Sequence, residues 1–241
     1  MNYQLIKSFY SQHFSLSSHS TNTLFERICL TSSRDKGMIS RLYQYLSNLN
    51  LQEKSNPMLR WEKDLDCSFS ADSWYSMSEN LQKCNKAISF RDTPVKLFSR
   101  WYLTPSKLHS FYPLISPNCF RGCSEQGTLL HTFWSCPFLD QIWRAATSRF
   151  ESSYGHKISL TPQICLLYAT IPDIPTSHMR LFHSLCSSIQ WMIALNWKSN
   201  TILWSQVLER MEVYKISEKI YHTLNDNLHI YNSKWSNWNV P

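Results

Sequence analysis

Glycine is nearly absent from this sequence, with four residues in 241. That scarcity excludes collagen-like and glycine-rich disordered chains, and it argues against loops that cradle phosphates. No Gly-x-Ser-x-Gly, His-Glu-x-x-His, Walker or Gly-x-Gly-x-x-Gly pattern occurs, so the common hydrolase, metalloprotease and nucleotide-binding signatures are missing. No two Asp are adjacent. The apolar runs fall far short of the ~20 residues that span a bilayer. The start, Met-Asn-Tyr-Gln-Leu-Ile-Lys, lacks the apolar core of a signal peptide. The expectation is a soluble intracellular protein, cytoplasmic or nuclear, with no membrane partner. In such a reducing compartment the eight Cys are thiols or metal ligands before they are disulfides.

What is present is apolar and aromatic: 43% hydrophobic residues against 17% charged, with ten Trp, twelve Tyr and twelve Phe. The length allows one large domain or two small ones, either able to bury a core. The net charge of +7 is unevenly placed. Residues 1–82 hold eight basic and eight acidic side chains, and residues 122–241 hold nine and eight. Between them, Lys83, Lys86, Arg91, Lys96, Arg100, Lys107 and Arg121 face the single acid Asp92, for +6. Charge of one sign concentrated in this way favours an anionic partner, most often nucleic acid. The alternative is a solvated face whose acids arrive from elsewhere in the fold.

The periodicity is helical throughout, and no stretch sustains a two-residue alternation. Residues 1–36, rich in Ser, Thr and Asn, read as a poorly ordered N-terminus. Ile39, Leu42, Tyr43, Leu46 and Leu49 recur at helical spacing from Gly37. A second helix runs from a Ser70 or Asp72 cap through Trp74, Met77, Leu81 and Cys84. Pro94 can open a third, up to the break at Thr104-Pro105. Loop chemistry fills 112–128, and a short helix is expected over Leu129–Trp134. Pro137 can start the next, carrying Phe138, Leu139, Ile142, Trp143 and Ala146. Leu181–Trp197 shows one apolar face of Leu185, Ile189, Met192 and Ile193. Thr201 to about Leu224 shows another, of Leu203, Val207, Leu208, Met211 and Tyr214. The fold class is mainly α, with helical segments around a small Cys3His module.

That module is the chemical signal. Cys119, Cys123, His131 and Cys136 form C-x3-C-x7-H-x4-C, and three thiolates with one imidazole suit a closed tetrahedral Zn²⁺ site. Gly122 allows a positive φ between the first two ligands. On a continuous α-helix, His131 and Cys136 would stand about 140° apart. Pro137 removes that conflict by forcing Cys136 out of α geometry, and the thiolate there also gains from the N-terminus of the next helix. The alternative is three buried thiols and a hydrogen-bonded core histidine. Cys29, Cys67, Cys84, Cys165 and Cys186 have no ligand spacing and read as packing residues. His178, His183, His222 and His229 read as surface or packing residues. Aromatics interleave the basic segment, as in single-strand RNA binding. Tyr102 is the candidate stacking residue, whereas Phe98 and Trp101 read as core.

Several runs carry a family resemblance: Arg60-Trp-Glu-Lys-Asp-Leu65, Lys83-Cys84, Arg100 to His109, Gly127-Thr-Leu-Leu-His131, Trp134-Ser-Cys-Pro137, Trp143, Trp197-Lys198, Trp204 to Leu208, and Trp235 to Trp238. Together they resemble the C-terminal region of non-LTR (long-interspersed-element) retrotransposon reverse transcriptases, over about residues 36–240. The resemblance implies a zinc-knuckle-like module on Cys119, Cys123, His131 and Cys136 that helps bind the element RNA during target-primed reverse transcription. It divides the chain into a thumb-like helical segment (37–111, basic over 83–107), the knuckle module (112–150) and a C-terminal helical segment (151–241). Polymerases of this family hold two Mg²⁺ on paired carboxylates in an aromatic-x-Asp-Asp hairpin, which this chain lacks. It also starts at Met1, after the point where a palm would end. The expectation is therefore a non-enzymatic fragment that binds RNA or single-stranded nucleic acid and other parts of the retroelement ribonucleoprotein. The rival readings are an RNA-directed DNA polymerase and a zinc-stapled protein-interaction module.

Overall fold

Prolines and hydroxyl caps set four of the nine described helix starts. The computed structural model describes residues 54–238 and, ahead of them, Glu26, Arg27, Gly37, Ser40, Arg41 and residues 43–45. Helix α1 (Asn56–Leu65) begins at Asn56-Pro57. Helix α2 (Ala71–Cys84) starts behind Ser70, whose hydroxyl accepts from the Ser73 N–H at 3.1 Å, so Ser70 rather than Asp72 is the cap. Helices α3 (Asp92–Phe98) and α4 (Pro105–Phe111) come next, with Thr104 capping the second. After the Cys/His loop come α5 (Asp140–Tyr154), which ends on Gly155 at φ 71°, and α6 (Pro162–Leu167), capped by Thr161. The last three are α7 (Thr176–Leu195), α8 (Trp204–Leu224) and α9 (Leu228–Trp235). No strand occurs among the described residues, and no described helix is long and apolar enough to cross a membrane.

Met1–Glu53 and Lys54–Pro241 are separate compact units. In the first, Ser40, Arg41 and Tyr43–Tyr45 are helical. Cys29, most of the apolar face expected from Gly37 and the expected poor order of 1–36 lie outside the described residues. The second is one body through which the expected boundaries at 111 and 150 pass, and α5 runs unbroken across residue 150.

Helix α7 is the axis, touching α2, α3, α5, α6, α8 and α9. The sequence suggests one buried face, but every residue from Leu181 to Gln190 is buried. A helix wrapped on all sides must satisfy its polar side chains internally, and this one does. The Ser184 hydroxyl donates to the Cys84 carbonyl at 2.8 Å, and the Ser187 hydroxyl to that of Phe90 at 3.3 Å. Gln190 donates to the Cys165 carbonyl at 2.8 Å and accepts from the Tyr168 hydroxyl at 2.9 Å. His183 Nε2 lies 3.1 Å from the Ala169 carbonyl. At the other end of the body, α1 is clamped to the end of α3. Trp61, fully buried, donates from Nε1 to the Phe98 carbonyl at 2.9 Å, and Trp74 lies on the Phe98 ring at 4.4 Å.

Burial pushes His183 down to about 4; the bond to Ala169 opposes the shift and the Lys234 cation adds to it. An unfolded histidine titrates near ~6.5. Between these values the unfolded chain holds the extra proton, so this group costs no stability above ~6.5 and destabilises as pH falls towards 4, by about 3 kcal/mol in full. Urea unfolding at pH 7 and pH 4.5 should show the wild type losing roughly 2–3 kcal/mol more than His183→Gln. Equal losses in the two proteins would mean that His183 is not held neutral.

Candidate metal centre and basic surface

The four ligand candidates sit on a loop that lacks a regular backbone ladder. It is closed by an isolated bridge between Asn118 and Gln126, with the Cys119 N–H donating to the Glu125 carbonyl at 2.8 Å. Gly122 turns the chain at φ 81° between Cys119 and Cys123, as its position predicts. Gly127 is required for a different reason. A Cβ there would lie 2.6 Å from the Pro105 ring, so the loop can press against α4 only with glycine at this position. The Gly127 carbonyl accepts from the Ser106 N–H at 3.1 Å across the same contact.

The angular conflict between His131 and Cys136 is resolved twice over. His131–Ser135 forms a π turn, closed by the Cys136 N–H donating to the His131 carbonyl at 3.1 Å. Widening the ring from i+4 to i+5 brings residues five apart towards the same side. Cys136 then leaves helical geometry at φ −65°, ψ 127° before Pro137, as expected. A short 3-10 turn at Pro137–Leu139 intervenes before α5 begins.

All four ligand atoms lie within 4.8 Å of one another. Cys119 and Cys136 are separated by 4.0 Å between sulfurs, Cys123 and Cys136 by 3.9 Å, and Cys123 Sγ lies 3.2 Å from His131 Nε2. A tetrahedron with metal–sulfur bonds of 2.3 Å and a metal–nitrogen bond near 2.0 Å has edges of about 3.8 and 3.6 Å. The thiols are free, so these separations are not those of a disulfide, and they match the edges of such a tetrahedron to within a few tenths of an ångström. Burial raises the Cys119 thiol to about 11. It also acts to raise Cys123, but the Glu125 backbone bond and the neighbouring thiols outweigh it and leave that thiol below its ordinary value. Burial, with the Arg121 cation beside it, lowers His131 and favours the neutral imidazole that ligates. A cation at the centre compensates clustered thiolates directly. The donor set therefore fits a metal ion.

The other described cysteines, Cys67, Cys84, Cys165 and Cys186, are free and packed in or against the core. Two histidines form a pair that spacing does not reveal: His156 Nε2 lies 3.1 Å from His178 Nδ1.

The basic segment does not form one face. Lys83 pairs with Glu79 at 2.7 Å and Lys96 with Asp92 at 2.6 Å, each on its own helix. Lys86 lies over the Tyr221 ring, and Arg91 donates to the Gln82 carbonyl at 2.8 Å. Arg121 is 5% exposed; it donates to the carbonyls of Thr132 at 2.9 Å and Ser199 at 3.2 Å, so its charge braces the loop instead of meeting solvent. Tyr102 is half-buried between Phe133 and Trp197, at 5.1 and 5.5 Å. Phe98 is core, as expected, but Trp101 is 72% exposed. Arg100 pairs with Asp64 at 2.6 Å and stacks over Trp61, and it shares a groove with Lys107 and with Arg60. Arg60 escaped the charge count because it belongs to a stretch of sequence whose net charge is zero.

Titrating chelator-stripped protein with Co²⁺ should saturate at about one ion per chain, with thiolate-to-metal absorption, and should raise Tm. His131→Ala and Cys136→Ser should each abolish that saturation. Unchanged stoichiometry in both variants would leave only buried thiols and a core histidine. No protein-family model matches this chain; what the site offers a ligand is set by its own atoms.

Proposed function

We propose that this protein is a zinc-stapled helical module that binds RNA, and that it corresponds to the C-terminal part of a non-LTR retrotransposon reverse transcriptase. The observation that carries the reading is the convergence of Cys119, Cys123, His131 and Cys136 on one tetrahedral volume. Three thiolates and one imidazole favour zinc over the oxygen-loving Mg²⁺ and Ca²⁺, and a full set of four protein ligands leaves no open position for a substrate. The zinc is therefore structural, and its binding free energy is folding free energy for a loop that has little core of its own.

The anionic partner is supported by the surface next to that loop. Arg60 and Lys107 have no carboxylate partner among the described residues, and both lie beside an exposed indole. Cations that neutralise phosphates next to an aromatic face match single-strand recognition. The protein works by binding and not by catalysis. A two-metal polymerase needs convergent, available carboxylates, whereas Asp64 is taken up by Arg100, and Asp66 closes α1 in the left-handed conformation at φ 48°.

Elemental analysis of protein purified without chelator should give about one zinc per chain. Single-stranded RNA should bind with log affinity falling linearly with log salt, by about 0.7 for each phosphate neutralised. A zinc-loaded protein that captures no RNA even at about 50 mM salt would leave the protein-interaction reading in its place.

A further inference from the structure

Two adjoining cavities, of about 410 and 350 Å³, share Arg60, Arg100 and Lys107. The first is completed by Asn56, Pro57, Ser99 and Trp101, and the second by Tyr102, Thr104 and the loop residues Thr128 and Leu129. Their charge is not cancelled internally. Asp64 pairs with Arg100, and among the described residues Arg60 and Lys107 have no carboxylate partner. Arg100 Nη1 is buried and has no hydrogen-bond partner among the described residues, a donor left unpaired at a residue that lines the groove.

The backbone supports the same conclusion. Helix α3 closes with the Trp101 N–H bonding to the Lys96 carbonyl at 2.8 Å and the Arg100 N–H to that of Leu97 at 2.9 Å. This closure wants glycine at the left-handed position, but Arg100 occupies it at φ 60°, a conformation that strains a residue with a Cβ. The next residue along the chain, Trp101, holds its indole 72% exposed to solvent. The chain thus carries an arginine at a strained position, and the neighbouring side chain is left without core packing.

We propose that this groove is a single-strand RNA subsite, in which Arg60 and Lys107 neutralise successive phosphates while a base stacks on Trp101. The inference rests on the RNA-binding reading above and names the residues that carry it. A single strand is required because bases stacked inside a duplex cannot present a face to the indole.

The test uses the full zinc-loaded chain and a short single-stranded oligoadenylate RNA. Affinity is measured over a salt series for wild type, Arg60→Gln/Lys107→Gln, Trp101→Ala and Trp101→Phe. Lys157→Gln/Lys219→Gln, both exposed and outside the groove, matches the charge change. The groove double variant should lower the salt slope by about 1.4, from two contacts, and the charge-matched control should not. Trp101→Ala should weaken binding about tenfold, as expected for one lost base stack, with Trp101→Phe restoring most of it and fluorescence of the wild type quenched on binding. Wild-type slope and affinity in the groove variants, with RNA still bound, would overturn the subsite and leave RNA binding intact. Failure of the wild type to bind oligoadenylate would overturn both.

Discussion

The ammonium of Lys234 ties the helical body together. It is buried, and each of its three donors has a partner: the Cys84 carbonyl and the Ser184 hydroxyl at 2.8 Å, and Glu218 Oε1 at 2.7 Å. The second carboxylate oxygen of Glu218 accepts from Trp235 Nε1 at 2.7 Å, and the Lys234 carbonyl accepts from the Tyr154 hydroxyl at 2.7 Å. One residue thereby joins the end of α2, the middle of α7, the inner face of α8 and the side of α5 to α9. Burial lowers the Lys234 pKa and Glu218 opposes it. Such a pair adds little net stability, because desolvation absorbs most of the attraction. Its effect is on register: stranding either charge costs about 3–5 kcal/mol, so alternative seatings of α9 are penalised steeply.

The same pair explains why α8 departs from a simple apolar stripe. Val207, Met211 and Tyr214 face inward as their spacing predicts, but the face continues through Glu218 and His222. His222 Nδ1 meets Asn227 Oδ1 at 2.5 Å. Meanwhile Val213, Ile216, Ile220 and Leu224 lie outside. Hydrophobic periodicity places Val207, Met211 and Tyr214 in the first half, but Leu203, counted on the same face, lies just ahead of the helix and is 54% exposed. It cannot place the second half, because the buried partner of Glu218 comes from sixteen residues further along the chain.

The same limit separates what was legible in the functional region from what was not. Ligand identity and spacing are local, so the Cys/His quartet, the turn at Gly122 and the break at Cys136 could be read before any fold was known. The cap at Ser70 was legible for the same reason, since a cap acts within one turn; other starts were not, for α3 begins at Asp92 ahead of Pro94, and Thr104-Pro105, read as a break, opens α4. Charge counting is linear, and the surface is not. Seven cations in one segment disperse into local ion pairs, a brace for the loop and only two groove residues, while a third groove cation comes from α1. Trp101 reads as core because large aromatics usually are. Its exposure results from the left-handed turn at Arg100, which no propensity argument assigns to arginine. The serines of α7 lie outside the apolar face read from its spacing, yet they are buried and their hydroxyls close the carbonyls of neighbouring segments.

The metal centre and the groove share one joint, and that joint decides how they act together. Pro105, at the start of α4, touches Gly127 closely enough to exclude a side chain there. The Ser106 N–H holds the Gly127 carbonyl, and Gln126 reaches the Ser106 hydroxyl at 3.3 Å. Lys107 comes immediately after, so a groove cation stands on a turn anchored to the loop that carries Cys119, Cys123 and His131. From the other side, Arg121 fastens that loop to the Ser199 carbonyl between α7 and α8. Tyr102 reaches Phe133 in the π turn and Trp197 at the end of α7. Such a loop orders only as far as its crosslinks allow, and four ligands closing on one ion would be its densest crosslink. A metal ion held by the four ligands would act on the groove at one remove, by fixing the loop against which the start of α4 and Lys107 are seated. Arg60 stands on α1 and Arg100 just beyond α3, so neither depends on that loop, and of the three groove cations Lys107 is the one whose position a metal ion in the loop would govern.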